Sequence, residues 1–317
     1  MNSSITKIFV GIDISKNSLD VHLHPLGKGF KIANSEAGIQ ELLCLLQLYR
    51  KSIKQIVCEA SGGYEYALLK ILRKSPYHIW RVDPKRIRHF IISEGIKVKT
   101  DKIDAKMLAL FAAQKKQKYH QIQLSEEEEH LQALVKRRTE LVVMLEREKH
   151  RLNHPIQVYC KKHISNLIVF IESQLKEIEQ EINKHICTNN EWKAKASIIE
   201  SVPGLGKVTA FTLIAQMPEL GKIGEKQAAA PLGVAPFTQQ SGNWKGSATI
   251  HGGRSSIRRA LYMAVLAVTR FNPQLRAFYE RLCKAGKRPK IAITAVMRKL
   301  IVILNIMLKK GETWSSS

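Results

Sequence analysis

Four carboxylates lie at positions whose types and spacing suit metal-dependent chemistry. Asp13 lies near the end of the apolar run KIFVGIDIS, and Glu59 ends a similar run in VCEASGG, just before a glycine turn. Asp101 and Asp104 are three residues apart in the helical segment DKIDAKMLALFAAQ, so they share one helix face. An ionised carboxylate at the end of a buried strand is costly unless it is paired or bound to a cation. Such oxygen ligands hold Mg²⁺, and two ions can clamp the attacking and leaving oxygens of a phosphodiester.

Each carboxylate also has a structural alternative. Asp13 could cap a turn, Glu59 could pair with a lysine, and Asp101 could be a helix N-cap after Thr100. Two further acids could substitute in the site: Asp20 and Glu65. Four lysines flank the acidic pair, as expected where a DNA backbone approaches a metal site: Lys97, Lys99, Lys102 and Lys106.

The elements that must position these acids alternate between strand and helix patterns. The predicted strands are residues 7–15, 18–26, 30–35, 55–61 and 78–84, and the predicted helices are residues 36–51, 62–74 and 101–114, with a further helix from about Pro84. Three strands followed by alternating helices and strands imply a mixed sheet with helices packed on it. This order matches the ribonuclease H-like architecture, and we assign it to a domain of residues 1–122.

Residues 123–190 have a different pattern, which predicts two long helices. Leucines recur at a spacing of three or four along the first, from Leu131 to Leu152, and Arg138 and Glu148 occupy intervening seam positions. A second apolar series follows the His154-Pro155 interruption. The pattern indicates a helical coiled-coil arm folded as an antiparallel hairpin, which could be an intramolecular spacer or a dimerisation arm.

Residues 191–317 are predicted to form a mostly helical domain. The segment SVPGLGKVTAFTLIAQM has a Pro-Gly-Leu-Gly turn between two helical patterns, which resembles a helix–hairpin–helix DNA-binding element or, alternatively, an ordinary αα-corner. Its candidate phosphate contacts are Gly204, Gly206 and Lys207. After a glycine-rich loop region over residues 221–253, a helix begins whose first turns carry three candidate phosphate clamps: Arg254, Arg258 and Arg259.

The composition favours a polyanionic partner. Lys and Arg number 51 against 27 acids, which gives a formal charge of +24, and residues 243–299 hold 13 basic residues against one acid. A generic solubilising surface is the alternative, but clustered charge favours nucleic acid. The five cysteines lack the spacing of a zinc site and fit a reducing cytoplasm. Neither a signal peptide nor a run of 18 apolar residues is present, so we expect a cytoplasmic protein without membrane contact.

Several motifs together carry a family resemblance. GIDISK, CEASGGYE and KTDKIDAKMLA, followed by SVPGLGKVTAFTLIA, LGVAPFTQQSGNWKG and HGGRSSIRRALYMAV, resemble the DEDD transposases with a RuvC-like domain. These are the Piv/MooV-like recombinases of one insertion-sequence family. The resemblance covers nearly the whole chain in order.

The resemblance implies more than the residues alone establish. It implies that Asp13, Glu59, Asp101 and Asp104 bind Mg²⁺, two ions at each site, in a RuvC-like domain. It implies that Ser241, in QQSGNWKG, attacks the DNA phosphate to form a phosphoserine intermediate. It also implies a noncoding bridge RNA that pairs with donor and target DNA. The implied active site is composite between subunits, in a dimer that becomes a tetramer on DNA.

The residues themselves leave the serine and the function open. Ser247, Ser255 and Ser256 are rival nucleophiles, and His251 could be a base. Lys245 is a candidate DNA contact beside Ser241, and Trp244 and Tyr262 could stack on bases or pack in a core. The rival functions are a hydrolytic RuvC-like nuclease, an RNA-independent DNA invertase and a noncatalytic nucleic-acid scaffold. The resemblance also implies that the protein is associated with the nucleoid.

Overall fold

The chain forms two compact units, residues 1–121 and 122–317. The computed structural model describes residues 6–96, 100–115, 125–155, 158–236, 240–241, 244–245, 249–250 and 252–315. The first boundary falls next to the predicted end of the N-terminal domain at residue 122. The helices of the predicted arm belong to the same compact unit as the C-terminal helices.

The first unit is a five-stranded sheet with helices. Its strands are β1 (Ile8–Ile14), β2 (Ser18–His24), β3 (Lys28–Ala33), β4 (Ile53–Glu59) and β5 (Ile79–Val82). Its helices are α1 (Glu36–Gln47), α2 (Tyr66–Arg73), α3 (Pro84–Ser93) and α4 (Asp101–Gln114). The strand order is β3-β2-β1-β4-β5, with β1 antiparallel to β2 and parallel to β4. The predicted mixed sheet is confirmed, and its order is compatible with a RuvC-like domain.

Alternation along the central strands sends apolar side chains to both faces of the sheet. Ile12 and Cys58 belong to the core under α1 and α2, whereas Val57 packs with Met107 of α4 on the opposite face. Gly11 allows α4 to lie directly on β1: a Cβ there would stand 2.1 Å from the Ala105 carbonyl oxygen. Since atoms cannot approach so closely, any other residue at position 11 would push α4 away from the sheet.

The second unit begins with two long antiparallel helices, α5 (Glu126–Leu152) and α6 (Val158–Thr188). Two salt bridges join the helices, at 2.7 Å between Arg138 and Glu179 and at 2.8 Å between Lys149 and Glu172. The guanidinium of Arg138 also lies over the ring of Phe211, 5.4 Å from its centroid. The charged seam residue Arg138 is therefore accommodated by an acidic partner and an aromatic face.

The remaining helices are packed around one hydrophobic core. They are α7 (Asn190–Glu200), α8 (Lys207–Gln216), α9 (Ser255–Phe271), α10 (Pro273–Lys284) and α11 (Pro289–Lys310). Two short strands, β6 (Gln240–Ser241) and β7 (Trp244–Lys245), form an antiparallel pair. A 3₁₀ turn spans Glu225–Gln227.

Among the described helices, α11 alone is long and apolar enough to cross a membrane by length and composition. Half of its apolar window is buried inside the protein, in the same core as α7 and α9. Its fully buried Asn305 accepts a hydrogen bond from the Gly221 amide at 2.8 Å and donates one to the Ile223 carbonyl at 3.0 Å. Such tertiary hydrogen bonds and burial are typical of a core helix in a globular unit.

Candidate active site

The candidate site lies on the α4 face of the sheet, where β1 and β4 end. Ile12 pairs with Cys58 across these parallel strands, so Asp13 and Glu59 follow side by side. Because side chains alternate, Asp13 shares the face of Gly11, and Glu59 shares the face of Val57. That face is the one on which α4 packs. The two strand-end acids are thus brought to one edge of the sheet.

Asp101 and Asp104 form the acidic first turn of α4. Thr100, and not Asp101, caps the helix: the Thr100 hydroxyl accepts a hydrogen bond from the Ile103 amide at 3.3 Å. The N-cap alternative for Asp101 is therefore wrong. Asp101 is exposed and Asp104 is half-buried.

The raised pKa of Asp13 indicates that other acids lie nearby. The pKa of Asp13 is raised to about 6, first by burial and then by the negative charges of Asp104, Asp101 and Asp20, against a backbone hydrogen bond at Ile14 that lowers it. Nearby like charges raise the pKa of an acid because they disfavour its ionised form. The helix-borne pair and the strand-end acid therefore converge, and a cation would relieve their repulsion.

The donor set fits a hard divalent cation. Over the described residues, no three His, Cys, Asp or Glu side chains are close enough to form a ready-made chelating group. Mg²⁺ does not need one, because it keeps several waters and is bound by one or two carboxylates together with substrate phosphates. The carboxylates that converge on Asp13 supply the oxygen ligands that such an ion requires.

The two substitute acids have other partners. Asp20 lies directly across the β1–β2 ladder from Asp13, is 5% exposed and is 3.4 Å from the Lys31 ammonium. Glu65 is 2% exposed and accepts hydrogen bonds from the Ser61 and Gly63 amides. Burial alone would raise the pKa of Glu65, but these hydrogen bonds outweigh burial and lower it. Glu65 therefore holds the turn after β4.

The segment that carries Ser241 is closed at its base by two glycines. Ser241 ends β6 and pairs with Trp244 of β7. Gly233 and Gly253 both have a φ of +66°, and a Cβ on Gly253 would lie 2.2 Å from the Gly233 nitrogen. The chain thus leaves and re-enters the helical core at one point, which we call the glycine neck (Gly233, Gly252 and Gly253).

Two of the predicted phosphate clamps make structural contacts, and one of them, Arg258, braces the glycine neck. The Arg258 Nη1 donates to the Gly252 carbonyl at 2.6 Å and to the Leu232 carbonyl at 3.0 Å. The Arg254 Nη1 donates to the buried carboxylate of Glu219 at 2.6 Å. Both arginines therefore have structural partners, whereas Arg259 is exposed on the first turns of α9. A phosphate contact by any of the three stays a prediction.

The predicted hairpin lies between α7 and α8, and its two glycines differ. Gly204 has a φ of +93° and packs on α9, since a Cβ there would be 2.7 Å from the Val268 Cα. Gly206 caps α8 and is exposed, as is Lys207. Close packing thus explains Gly204, and the exposed part of the predicted phosphate contact is Gly206 and Lys207.

A cleft of about 620 Å³ lies beside the start of α8. Three exposed lysines from three helices line it, Lys184, Lys193 and Lys207, against one acid, Glu200. The first two lysines were not predicted, because nothing in the sequence indicates that the end of α6 and the start of α7 lie beside the hairpin.

Several predicted residues have no described contacts. Lys97, Lys99, Ser247 and His251 lie outside the described residues, and only the backbone is described for Ser241, Trp244 and Lys245. Lys102 and Lys106 are exposed on α4, and Ser255 is exposed at the start of α9. Ser256 is hydrogen-bonded to the Gln216 side chain at 2.8 Å, and Tyr262 packs against the core of the second unit.

Comparisons with known proteins match both units. Residues 10–160 match a family model described as a transposase, of the DEDD type, and residues 196–280 match the transposase IS116/IS110/IS902 family. The pilin gene-inverting proteins of Moraxella bovis and Moraxella lacunata are each 29% identical over 317 residues, covering 97% of this chain and 98% of theirs. An insertion element IS110 43.6 kDa protein of Streptomyces coelicolor is 25% identical over 155 residues, 48% of this chain and 37% of that protein. The matched ranges include all four carboxylates and Ser241.

Proposed function

Because the chain belongs to the IS116/IS110/IS902 family of transposases, and is therefore an enzyme that cuts and joins DNA strands, we propose that it recombines DNA through a phosphoserine intermediate. The intermediate forms on Ser241, at a metal site made by Asp13, Glu59, Asp101 and Asp104. The observation that carries the proposal is the convergence of acids at Asp13, whose pKa is raised to about 6 by burial and by neighbouring carboxylates. A noncatalytic scaffold would gain nothing from carboxylates that repel one another.

The four carboxylates hold the cations. Mg²⁺ ions bound there would polarise the scissile phosphate and stabilise the charge that develops on its oxygens. Asp13 and Glu59 supply fixed oxygens at the strand ends, and Asp101 and Asp104 supply oxygens from the first turn of α4. Lys102 and Lys106 offset the phosphate charge as the backbone approaches.

Ser241 carries out the exchange of bonds. Its hydroxyl loses a proton and attacks phosphorus, a P–O bond to the deoxyribose breaks, and the released sugar oxygen takes up a proton. The phosphoserine ester keeps the energy of the phosphodiester, so a hydroxyl of a second DNA end can displace the serine without ATP. Gly242 and Asn243 follow Ser241 in the sequence, and these residue types favour two-residue hairpin turns.

Replacement of Ser241 tests this mechanism against water attack. In the Ser241→Ala variant we expect no covalent protein–DNA product on a denaturing gel, and strand exchange should be lost. Ser255→Ala is the matched control, because Ser255 is an exposed serine of the same unit and should leave the adduct intact. Cleavage that persists in Ser241→Ala without an adduct would show a hydrolytic nuclease instead.

Guidance by a bridge RNA is the second part of the proposal. The exposed lysines of the cleft and the charge of +24 support polyanionic partners, a class that includes RNA as well as the DNA substrate. Sequencing the RNA that copurifies with the protein is the test. Enrichment of one structured RNA encoded beside the gene supports guidance, and random cellular RNA contradicts it.

RNA-independent DNA inversion is the alternative function. The observation that favours it is the end-to-end similarity to the two pilin gene-inverting proteins. Inversion predicts that purified protein, treated with ribonuclease, still exchanges strands between two inverted sites of its own locus. Loss of exchange after this treatment, restored by the copurified RNA, would exclude it.

Assembly on DNA completes the proposal. Ser241 and the carboxylates lie in different compact units of the chain. We propose that dimers in solution become tetramers on DNA, at the nucleoid, so that the acids of one copy act with the serine of another. Mass measurements with and without DNA test the oligomeric states, and mixing Asp13→Asn with Ser241→Ala protein should restore activity if the site is shared.

A further inference from the structure

Two exposed tyrosines follow Glu59: Tyr64 lies in the turn and Tyr66 is the first residue of α2. Tyr64 is 50% exposed and Tyr66 is 54% exposed, in a unit whose other aromatic residues include the buried Trp80 and Phe111. Among the described residues, neither tyrosine ring stacks on another aromatic ring. Aromatic faces left in water beside a DNA-cutting site are candidate contacts for bases.

The turn is held in one shape by a buried charge. Glu65, between the two tyrosines, accepts hydrogen bonds from the Ser61 hydroxyl at 3.0 Å and from the Gly63 amide at 2.8 Å. Its other carboxylate oxygen is 3.3 Å from an Arg81 guanidinium nitrogen on β5. Because a buried carboxylate is costly without such partners, this network fixes the backbone on both sides of Tyr64.

The glycines and one asparagine complete the positioning. Gly62 and Gly63 have φ values of +77° and +127°, which let the chain turn sharply before Tyr64. The Asn34 side-chain amide donates to the Ser15 carbonyl at 2.9 Å and to the Tyr64 carbonyl at 3.2 Å. Since Ser15 is two residues beyond Asp13, this side chain ties the tyrosine turn to the strand end that carries the candidate metal ligand.

We propose that Tyr64 and Tyr66 form a stacking site for an unpaired nucleobase next to the scissile phosphate. The inference rests on the proposed function, because it takes the carboxylate edge as the place where DNA is cut. A fixed turn lowers the entropy cost of ordering two aromatic rings when a base binds. Stacking tolerates any base, so the site would hold the DNA strand without reading its sequence.

The test measures base stacking in the absence of metal and of cleavage. The probe is a mixed-sequence single-stranded DNA that carries one 2-aminopurine, whose fluorescence is quenched on stacking, and the protein is the full chain in EDTA. For Tyr64→Leu with Tyr66→Leu we expect the protein-induced change in fluorescence to be lost and the affinity to fall about tenfold or more. Tyr64→Phe with Tyr66→Phe should bind like the parent protein, because the ring and not the hydroxyl makes the contact.

Controls separate stacking from folding and from the proposed function. Tyr159→Leu, an exposed tyrosine of α6, should leave probe binding unchanged, and thermal melting shows whether each variant folds. Unchanged fluorescence and affinity in a folded double leucine variant overturn the proposal, as does an equal loss in the phenylalanine variant. Asp13→Asn should still bind the probe. Cleavage by Asp13→Asn would refute the metal site, whereas the fluorescence change tests the stacking site independently.

Discussion

The carboxylate region and the serine region are positioned by opposite means. Asp13 and Glu59 are fixed by neighbouring hydrogen-bonded strands and faced by a helix that rests on Gly11. Ser241 lies in a segment joined to its helical core through the glycine neck, which Arg258 braces. The acids thus inherit their geometry from the core, whereas the described contacts that anchor the serine segment lie at its base, in the glycine neck. Substitutions should therefore act on the two regions in different ways.

The largest effect is expected at the carboxylates. Asp13→Asn removes the charge that binds the cation, so strand cleavage should fall by on the order of 10³-fold while DNA binding and folding are kept. Asp20→Asn is the matched control, since Asp20 lies across the ladder and already faces Lys31. Cleavage assays on a metal-supplemented substrate measure both. Equal losses in the two variants would mean that the face as a whole, and not Asp13, binds the cation.

A smaller effect is expected at the glycine neck. Gly253→Ala places a Cβ 2.2 Å from a backbone nitrogen at a positive φ, so the free energy of unfolding should fall by about 2–4 kcal/mol, with loss of strand exchange. Gly252→Ala is the control, because its φ of +71° is similar but nothing lies within 4 Å of the added atom. It should cost only about 1 kcal/mol. Chemical denaturation distinguishes the two, and equal costs would contradict the close contact at the neck.

The raised pKa of Asp13 predicts a trade between activity and stability. In the folded state Asp13 keeps its proton up to about pH 6, whereas an unfolded chain releases it near pH 3.8. The folded state therefore binds more protons in this window, so stability falls as pH rises through it and the penalty is complete above about pH 6. In EDTA, Asp13→Asn should melt at a higher temperature than the parent near pH 7.5 and at a similar temperature near pH 4. If the difference in melting temperature is the same at both pH values, the stability penalty does not come from the ionisation of Asp13.

The smallest effect separates a contact arginine from a bracing arginine. Arg259→Ala should weaken DNA binding modestly for every sequence and lower the slope of log affinity against log salt by about one. Arg258→Ala should leave that slope unchanged but lower the melting temperature, because it releases the carbonyls of Leu232 and Gly252. Salt titrations and melting curves of both variants decide the matter. A reduced slope for Arg258→Ala would assign it to phosphate as well.

The sequence allowed the sheet and the acids to be predicted because both follow short-range patterns. Strand alternation and the three-residue spacing of Asp101 and Asp104 need only local geometry. The partners of Arg254, Arg258 and Glu65 could not be predicted, because they depend on which loops meet after folding. The same applies to Thr100, whose hydroxyl caps α4 in place of Asp101, and to Gly204, whose need for glycine comes from α9.

The glycine neck also bears on how such enzymes diversify. Because residue 233 meets residues 252 and 253, the length of chain between them is independent of the packing of the helical core. Insertions, deletions or exchange of residues 235–251 would leave the flanking helices in place as long as the glycines and the buried Val234 remain. The segment that carries Ser241 is therefore an exchangeable module. Grafting it between relatives is a route to recombinases with altered strand-exchange properties.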